Sequence, residues 1–542
     1  MKTLGIQRLF MISVVGAVMT QSDSVAADID FPNADSSWKI LSPSAWSPYD
    51  VPTTNTGNRA KFVSSNNATY IVDRDGSLNG MYIDYDANWN SRTYTFQFEN
   101  DAKLTIGDKI EGGSRWAGDS GGYPGWCTIR FNDGDIDFLG NALLKGNDQA
   151  YWLKMNFNGC TVTNVDNMWM TQYRHDYLAI SNSTVWINHV LMPGYSTGPA
   201  DTRIFIGGGS KVSAGQFTMS RSYNGGSIGV HTDGLPLVDI SGTGTEVVFR
   251  GNANTGNRGD DLDGDVNAGY SLLASLGGGE IFRIRDGAKV TVANRAIIGI
   301  KKGANNRVVV EGEGSELNIG EHAFAWKGGV ATGSTNNYIV VRNGGKLVSG
   351  TAIYNSGSGS NNGIICSNGV VSTRGPKYNN NNTGNRLTYR MQGDNPSVTF
   401  IKDKYNEGAY LTCGLNWVFD LPASSYRAGC VPFRFDCAQY LQSNADSANL
   451  TCEINCLPGF CADMKANGEH KREVILINGG SFYSGTVNGV SYSSAKYDEA
   501  VARWNDELQA IVPNGFSAEL VRSGTKVTLK VKQCRGMVMV VK

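Results

Sequence analysis

Ile284 to Val290 read IRDGAKV: an apolar strand, a tight polar turn, and a second apolar strand that opens with lysine. The same template returns as FENDAKL at Phe98 to Leu104, IGGGSKV at Ile206 to Val212 and VRNGGKL at Val341 to Leu347. Looser versions lie between: ISGTGTEV from Ile240, VEGEGSEL from Val310, ISNSTV from Ile180 and FNDGDI from Phe131. The first apolar residues after each turn are Leu104, Ile136, Val162, Val185, Val212, Val247, Val290, Leu317, Leu347 and Val371. They are separated by roughly 23 to 43 residues, a period that belongs to stacked coils.

Working outward from one repeat, a full coil is read from Arg307 to Val310, a turn at Gly312 to Ser315, then Leu317 to Ile319. A corner follows near Gly320, with a third strand from His322 to Trp326 and a loop from Gly328 to Asn337. Apolar residues alternate within the strands, as Val308/Val310 and Leu317/Ile319, which sends one set into a narrow core and the other outward. The expected fold is all-β, a right-handed three-sided parallel β-helix. Five successive residues ahead of the inward anchors, Lys211, Glu246, Lys289, Glu316 and Lys346, alternate in sign. If these positions stack, each charge faces its opposite on the next coil.

Composition agrees with short strands and many turns, since glycine is 67 of 542 residues, about 12 % against a usual share near 7 %. Lys2 and Arg8, the apolar run Leu9 to Met19 and small residues ending at Ala27 read as an export signal. Its removal at residue 26 takes away Lys2, Arg8 and Asp23 and leaves two more acids than bases, a balance that does not recruit nucleic acid. No other stretch has the length and apolarity of a transmembrane helix, so the mature chain is expected without one. The expected organisation is a signal peptide (1–27), an N-terminal cap (28–92), the β-helix (93–375), a Cys-rich segment (376–472) and a C-terminal cap (473–542). That last cap carries an amphipathic helix over Tyr497 to Ile511, a further template VRSGTKV from Val521 to Val527, and a strand from Met537 to Val541.

Ten cysteines suit an oxidising compartment. Six crowd between Cys413 and Cys461 and are read as a disulfide-stapled module. Zinc is the competing reading, from the short spacings of Cys452, Cys456 and Cys461.

The template, the irregular coil length and the export signal resemble secreted parallel β-helix proteins of bacterial type, both adhesin-like autotransporter passengers and pectin-lyase-like carbohydrate enzymes. The resemblance covers Tyr94 to Arg374. It implies a secreted or cell-surface protein that binds glycans or neighbouring surface proteins without chemistry of its own, or alternatively a polysaccharide hydrolase or lyase. Thr232-Asp233-Gly234 and Gly259-Asp260-Asp261 are similar to fragments of the polygalacturonase pattern, in which paired carboxylates act on a glycosidic bond. The later elements of that pattern are missing: the next histidine is His322, and Gly299-Ile300-Lys301 lacks the arginine. Asp233, Asp260 and Asp261 are therefore read first as turn residues.

Two further segments carry chemistry. Asp261, Asp263, Asp265 and Asn267 place oxygen ligands at alternating positions, like the start of a Ca2+ loop, although glycine stands at 264 and Leu272 occupies the closing position. Arg115, Trp116, Asp119, Tyr123 and Trp126 interleave aromatic, charged and glycine residues in a loop suited to sugar rings. The bland alternatives are a solvated acidic loop and a tryptophan cover over the solenoid. The five histidines, His175, His189, His231, His322 and His470, share no metal-ligand spacing and are read as structural.

Overall fold

The computed structural model describes residues 28–31, 38–41, 59–63, 67–85, 91–115, 127–139, 143–146, 150–151, 153–169, 177–192, 203–218, 237–251, 270–274, 281–293, 295–298, 305–320, 322–324, 335–354, 361–374, 386–402, 409–410, 414–423, 429–443 and 446–534. Nearly all the structure in these residues is β, arranged in long parallel sheets consistent with a solenoid. One coil supplies Ile281–Arg285, Lys289–Val292 and Arg295–Ile298, and the next supplies Arg307–Glu311, Glu316–Ile319 and His322–Phe324. Each strand pairs in parallel with its equivalent in the following coil.

Three ladders result. The first is a 15-stranded parallel sheet running from Trp38–Lys39 to Leu450–Ile454. The second, from Gly76–Leu78 to Phe433–Phe435, and the third, from Asp28–Phe31 to Lys346–Tyr354, belong to one 26-stranded sheet. They are joined because Thr184–Met192, Lys211–Thr218 and Lys346–Tyr354 run from one ladder into the other. Parallel rungs extend beyond 93–375 at both ends. Ala68–Val72 pairs with Arg92–Phe98 upstream, and Leu387–Gln392, Leu415–Asp420 and Leu450–Ile454 continue the first ladder downstream.

The ten template anchors fall into one register. Leu104, Ile136, Val162, Val185, Val212, Val247, Val290, Leu317, Leu347 and Val371 are successive partners along the second ladder, and all are buried. An inward row of the first ladder stacks Tyr70, Phe96, Phe131 and Phe157 with ring centroids 5.1, 5.1 and 5.3 Å apart. Those spacings follow from the distance between hydrogen-bonded strands, so one aromatic per coil at a fixed position must stack on the next.

The template's turn has a physical reason at each position. Asp286 and Gly287 both adopt positive φ, as do Asn343 and Gly344, and Asn100 and Asp101. Two left-handed residues in succession reverse the chain tightly, which favours Gly, Asn and Asp. The next position points inward and is small: Ser183, Ser210, Thr245, Ala288 and Ser315 are buried there. The serine and threonine hydroxyls satisfy neighbouring coils, with Cys160 N donating to Ser183 Oγ (3.0 Å), Gly209 N to Thr245 Oγ1 (3.1 Å) and Gly287 N to Ser315 Oγ (2.9 Å). At Gly345 a Cβ would lie 2.3 Å from the carbonyl oxygen of Val310, so only glycine fits.

The alternating charges do stack. Lys211, Glu246, Lys289, Glu316 and Lys346 are register partners in that order. Lys211 Nζ lies 2.7 Å from Glu246 Oε1, and Lys346 Nζ 3.7 Å from Glu316 Oε1. The hydrogen bond from Lys211 holds the Glu246 carboxyl below its usual range.

Near the C-terminus the parallel pattern gives way to an antiparallel sheet of Lys471–Asn478, Lys526–Gln533 and Phe516–Ser523. The template VRSGTKV here makes a hairpin in which Leu520 pairs with Leu529, rather than another rung. The expected helix is found at Ala495–Gln509, burying Tyr497, Ala500, Val501, Trp504 and Leu508. Ile511 falls past its end and is exposed. The strand expected at Met537 to Val541 lies outside the described residues.

Among the described residues the expected disulfide module does not appear. Cys413 is outside them, while Cys430, Cys452 and Cys461 carry free thiols. Cys437, Cys452 and Cys461 are buried among apolar neighbours and act as small core residues. Cys461 sits on a helix, Leu457–Ala466, that the sequence reading did not anticipate. Among the described residues no group of three or more His, Cys, Asp or Glu side chains is placed to hold a metal.

Candidate functional site

Most residues singled out from the sequence lie outside the described residues: Trp116, Asp119, Tyr123 and Trp126, Asp233 and Asp260, and the acidic series Asp261, Asp263, Asp265 and Asn267. Arg115 is placed by its backbone, at the end of Lys109–Arg115, where it pairs antiparallel with Ala150.

Outward side chains vary in exposure on both ladders. On the first ladder Arg203, Asp239, Val309, Thr388 and Val418 are buried, whereas Phe205 keeps 38 % of its surface exposed and stacks on Tyr177 with ring centroids 6.1 Å apart. On the second ladder the outward residues Lys103, Lys211, Glu246 and Lys346 stand open, and Trp186 keeps 44 % of its surface exposed. Among the described residues Trp186 is the largest exposed apolar side chain on that face. Its parity forces it out, because Val185 and Ile187 on either side point into the core.

The indole is held rather than loose. Trp186 Nε1 donates to Asn188 Oδ1 at 3.1 Å, and the Arg250 guanidinium lies 3.9 Å from the ring centroid. Arg250 is fixed in turn, donating to Ser213 Oγ (2.5 Å) and to the carbonyls of Ile187 (2.5 Å) and Asn188 (3.2 Å). A bulge makes this arrangement possible: the register of Thr184–Met192 against Lys211–Thr218 slips between Ile187 and Val190, turning the carbonyls of Ile187 and Asn188 toward Arg250. Gly215 sits beside it, where a Cβ would come within 2.7 Å of the oxygens of Asn188 and His189.

Polar side chains from earlier coils continue the patch. Asp137 accepts from Thr163 Oγ1 (2.8 Å) and Asn164 Nδ2 (2.7 Å) and pairs with Lys103 Nζ (3.0 Å). Burial by itself would raise the Asp137 carboxyl, but Thr163, Lys103 and Asn164 together hold it below its usual range. The Asp137 hydrogen bond likewise lifts Lys103 above the usual lysine range. His189 Nε2 lies 3.0 Å from Asp166 Oδ1, and Asp166 is further held by Asn167 Nδ2 at 2.9 Å. His189 lies within the bulge of Thr184–Met192, between Ile187 and Val190.

Sequence reasoning placed the sugar-binding aromatics in the Gly112 to Trp126 loop and passed over Trp186. The available signal was parity, since TVWIN puts a tryptophan at an outward position between two inward aliphatics. Nothing in the sequence pointed to Arg250, which lies 64 positions further on. The patch offers an apolar ring face beside amide, carboxylate and guanidinium groups, the mixed chemistry that sugar rings require. No helix among the described residues is long and apolar enough to cross a membrane. No protein family, curated protein or solved structure matches the chain.

Proposed function

We propose that the chain is an exported, right-handed, three-sided parallel β-helix that works as a non-catalytic binding protein of adhesin-like type, with the patch around Trp186 as its glycan site. Three strands per coil support the three-sided form, and the strong general preference for right-handed parallel crossovers supports the hand. The observation that carries the functional reading is the exposed Trp186 indole, fixed by Asn188 and Arg250 on the open face of the second ladder. An aromatic residue that is both exposed and immobilised loses little freedom when a ring stacks on it. Expected on a glycan array is binding by the full chain that Trp186→Ala abolishes while the melting temperature stays within a few degrees. Unchanged binding by Trp186→Ala would remove the site, and release of reducing ends from a bound glycan would favour the hydrolase or lyase alternative.

A further inference from the structure

We propose that the sugar stacked on Trp186 is uncharged, and that Arg250, packed against the ring, turns away sugars bearing an ammonium group. This rests on the glycan reading of the same patch and specifies the ligand's charge.

Arg250 covers one face of the indole, its guanidinium 3.9 Å from the ring centroid. Trp186 still keeps 44 % of its surface exposed, so a ligand meets the opposite face. The guanidinium offers that ligand no free fork, because Nη1 donates to Ser213 Oγ while Nη2 donates to the carbonyls of Ile187 and Asn188. Only its charge reaches across the ring. A cation is drawn to an indole by the negative potential of the π face, and Arg250 already uses that potential. An ammonium on the open face would stand on the order of 8 Å from the guanidinium, two ring-contact distances apart. At effective dielectric constants between about 20 and 80 their repulsion weakens binding about two- to thirtyfold.

The surrounding face supplies a second, independent argument. Its charges are matched with one another: Lys103 with Asp137, Lys211 with Glu246, and His189 with Asp166. A sugar of either charge would have to compete for a partner already taken. Close to the indole the exposed polar side chains are neutral, with Thr184 on the same strand and Thr161, its register partner, one coil earlier. Hydroxyls exchange hydrogen bonds with sugar hydroxyls and strip no ion of its water.

The test is an array of neutral, free-amine, uronic-acid and sulfated glycans probed with the full chain at physiological salt. The wild type should bind neutral members, and their amino and acidic counterparts more weakly. Chitohexaose with its de-N-acetylated form makes one matched pair, and methyl-esterified with free oligogalacturonate another. Surface plasmon resonance then compares the tightest-bound neutral glycan with a form of it whose primary hydroxyls are replaced by amines. The amines should weaken binding about two- to thirtyfold, and acetylating them should restore most of the affinity. Arg250→Gln should bring the ratio of the two affinities close to one, and Arg250→Lys, which keeps the cation, should preserve it, each with the far-UV spectrum of the wild type. An amino or acidic member bound more tightly than its neutral counterpart, or a ratio that survives Arg250→Gln, overturns the assignment and leaves the glycan reading standing. Should Arg250→Gln misfold, the acetylated probe decides, since binding no better than that of the amine overturns the role of charge. Binding to no member of the array, or binding that Trp186→Ala leaves unchanged, overturns both readings.

Discussion

Asn337 Oδ1 accepts two hydrogen bonds from Asn306, one coil earlier: from its backbone N–H at 3.0 Å and from its side-chain Nδ2 at 2.8 Å. Asn362 repeats the relationship on the next coil, its Oδ1 accepting Asn337 N at 2.9 Å. All three residues are buried. Outside them, Asn305, Asn336 and Asn361 occupy left-handed turn positions, and Asn336 Nδ2 donates to Asn305 Oδ1 at 2.7 Å. This interior ladder closes backbone donors that a turn between ladders would otherwise leave unpaired.

Asn337→Ala should therefore orphan the Asn306 N–H groups in a dry interior and cost roughly 1–3 kcal/mol. The measurement is the urea midpoint at constant slope. Asn305→Ala, at the open turn, should cost less than Asn337→Ala, and the reverse order would show that the buried ladder is not what stabilises this corner.

Glu246 stands between Lys211 and Lys289 in the outward charge row. Glu246→Lys should lower stability by about 0.4–2 kcal/mol in low salt, two cross-strand pairs being turned repulsive. The deficit should shrink in 1 M salt, because the groups are exposed and screening reaches them. A salt-independent loss would mean that packing, not charge, sets the value of this position.

Asp239 carries the clearest pH dependence. It is buried on the first ladder and accepts hydrogen bonds from Arg283 Nη2 (2.8 Å) and Arg285 Nε (3.0 Å). Burial raises its carboxyl, but the two guanidinium groups outweigh that and hold it below the ordinary 3.8. A carboxyl lowered on folding contributes stability that is fully present above about pH 4 and is lost as pH falls through the folded value. Thermal melts from pH 7 to 2 should show that loss in the wild type, and Asp239→Asn should be less stable at pH 7 with a flatter acid limb. An acid limb unchanged by Asp239→Asn would assign the dependence to other carboxylates.

At the C-terminal end, the strand Phe516–Ser523 pairs with Lys526–Gln533 on one edge. Its other edge is closed by side chains of the helix Ala495–Gln509. Asn505 Oδ1 accepts Leu520 N (2.6 Å), Asn505 Nδ2 donates to Leu520 O (2.8 Å), and Gln509 Nε2 donates to Ala518 O (2.6 Å). An asparagine that bonds both backbone groups of one residue substitutes for a neighbouring strand. Asn505→Ala should lower stability by roughly 1–3 kcal/mol and promote concentration-dependent association in sedimentation velocity. A monodisperse variant of unchanged stability would show that the edge needs no such guard.

Particular residues show where sequence reading ended. The ten anchors were legible because the turn template marks the residue after it as inward, coil after coil. The start of the ladders was not, because Ala68–Val72 and Gly76–Leu78 lie in polar surroundings without the template. Asn305-Asn306, Asn336-Asn337 and Asn361-Asn362 were visible as repeated pairs, yet only their stacking distinguishes a ladder from three polar turns. The cysteines misled, since spacing suggested disulfides where the fold sets Cys452 and Cys461 in the core as free thiols.

By itself the sequence determined the period, the inward and outward parity of each strand and the sign of the charges along one row, because these are local properties of a chain with alternating side chains. Tertiary structure decided the rest. VRSGTKV closes an antiparallel hairpin while IRDGAKV builds parallel rungs, since what pairs with a strand depends on which edge lies beside it. Trp186 and Arg250 meet only because the coils between them stack, which brings residues 64 positions apart to within 3.9 Å.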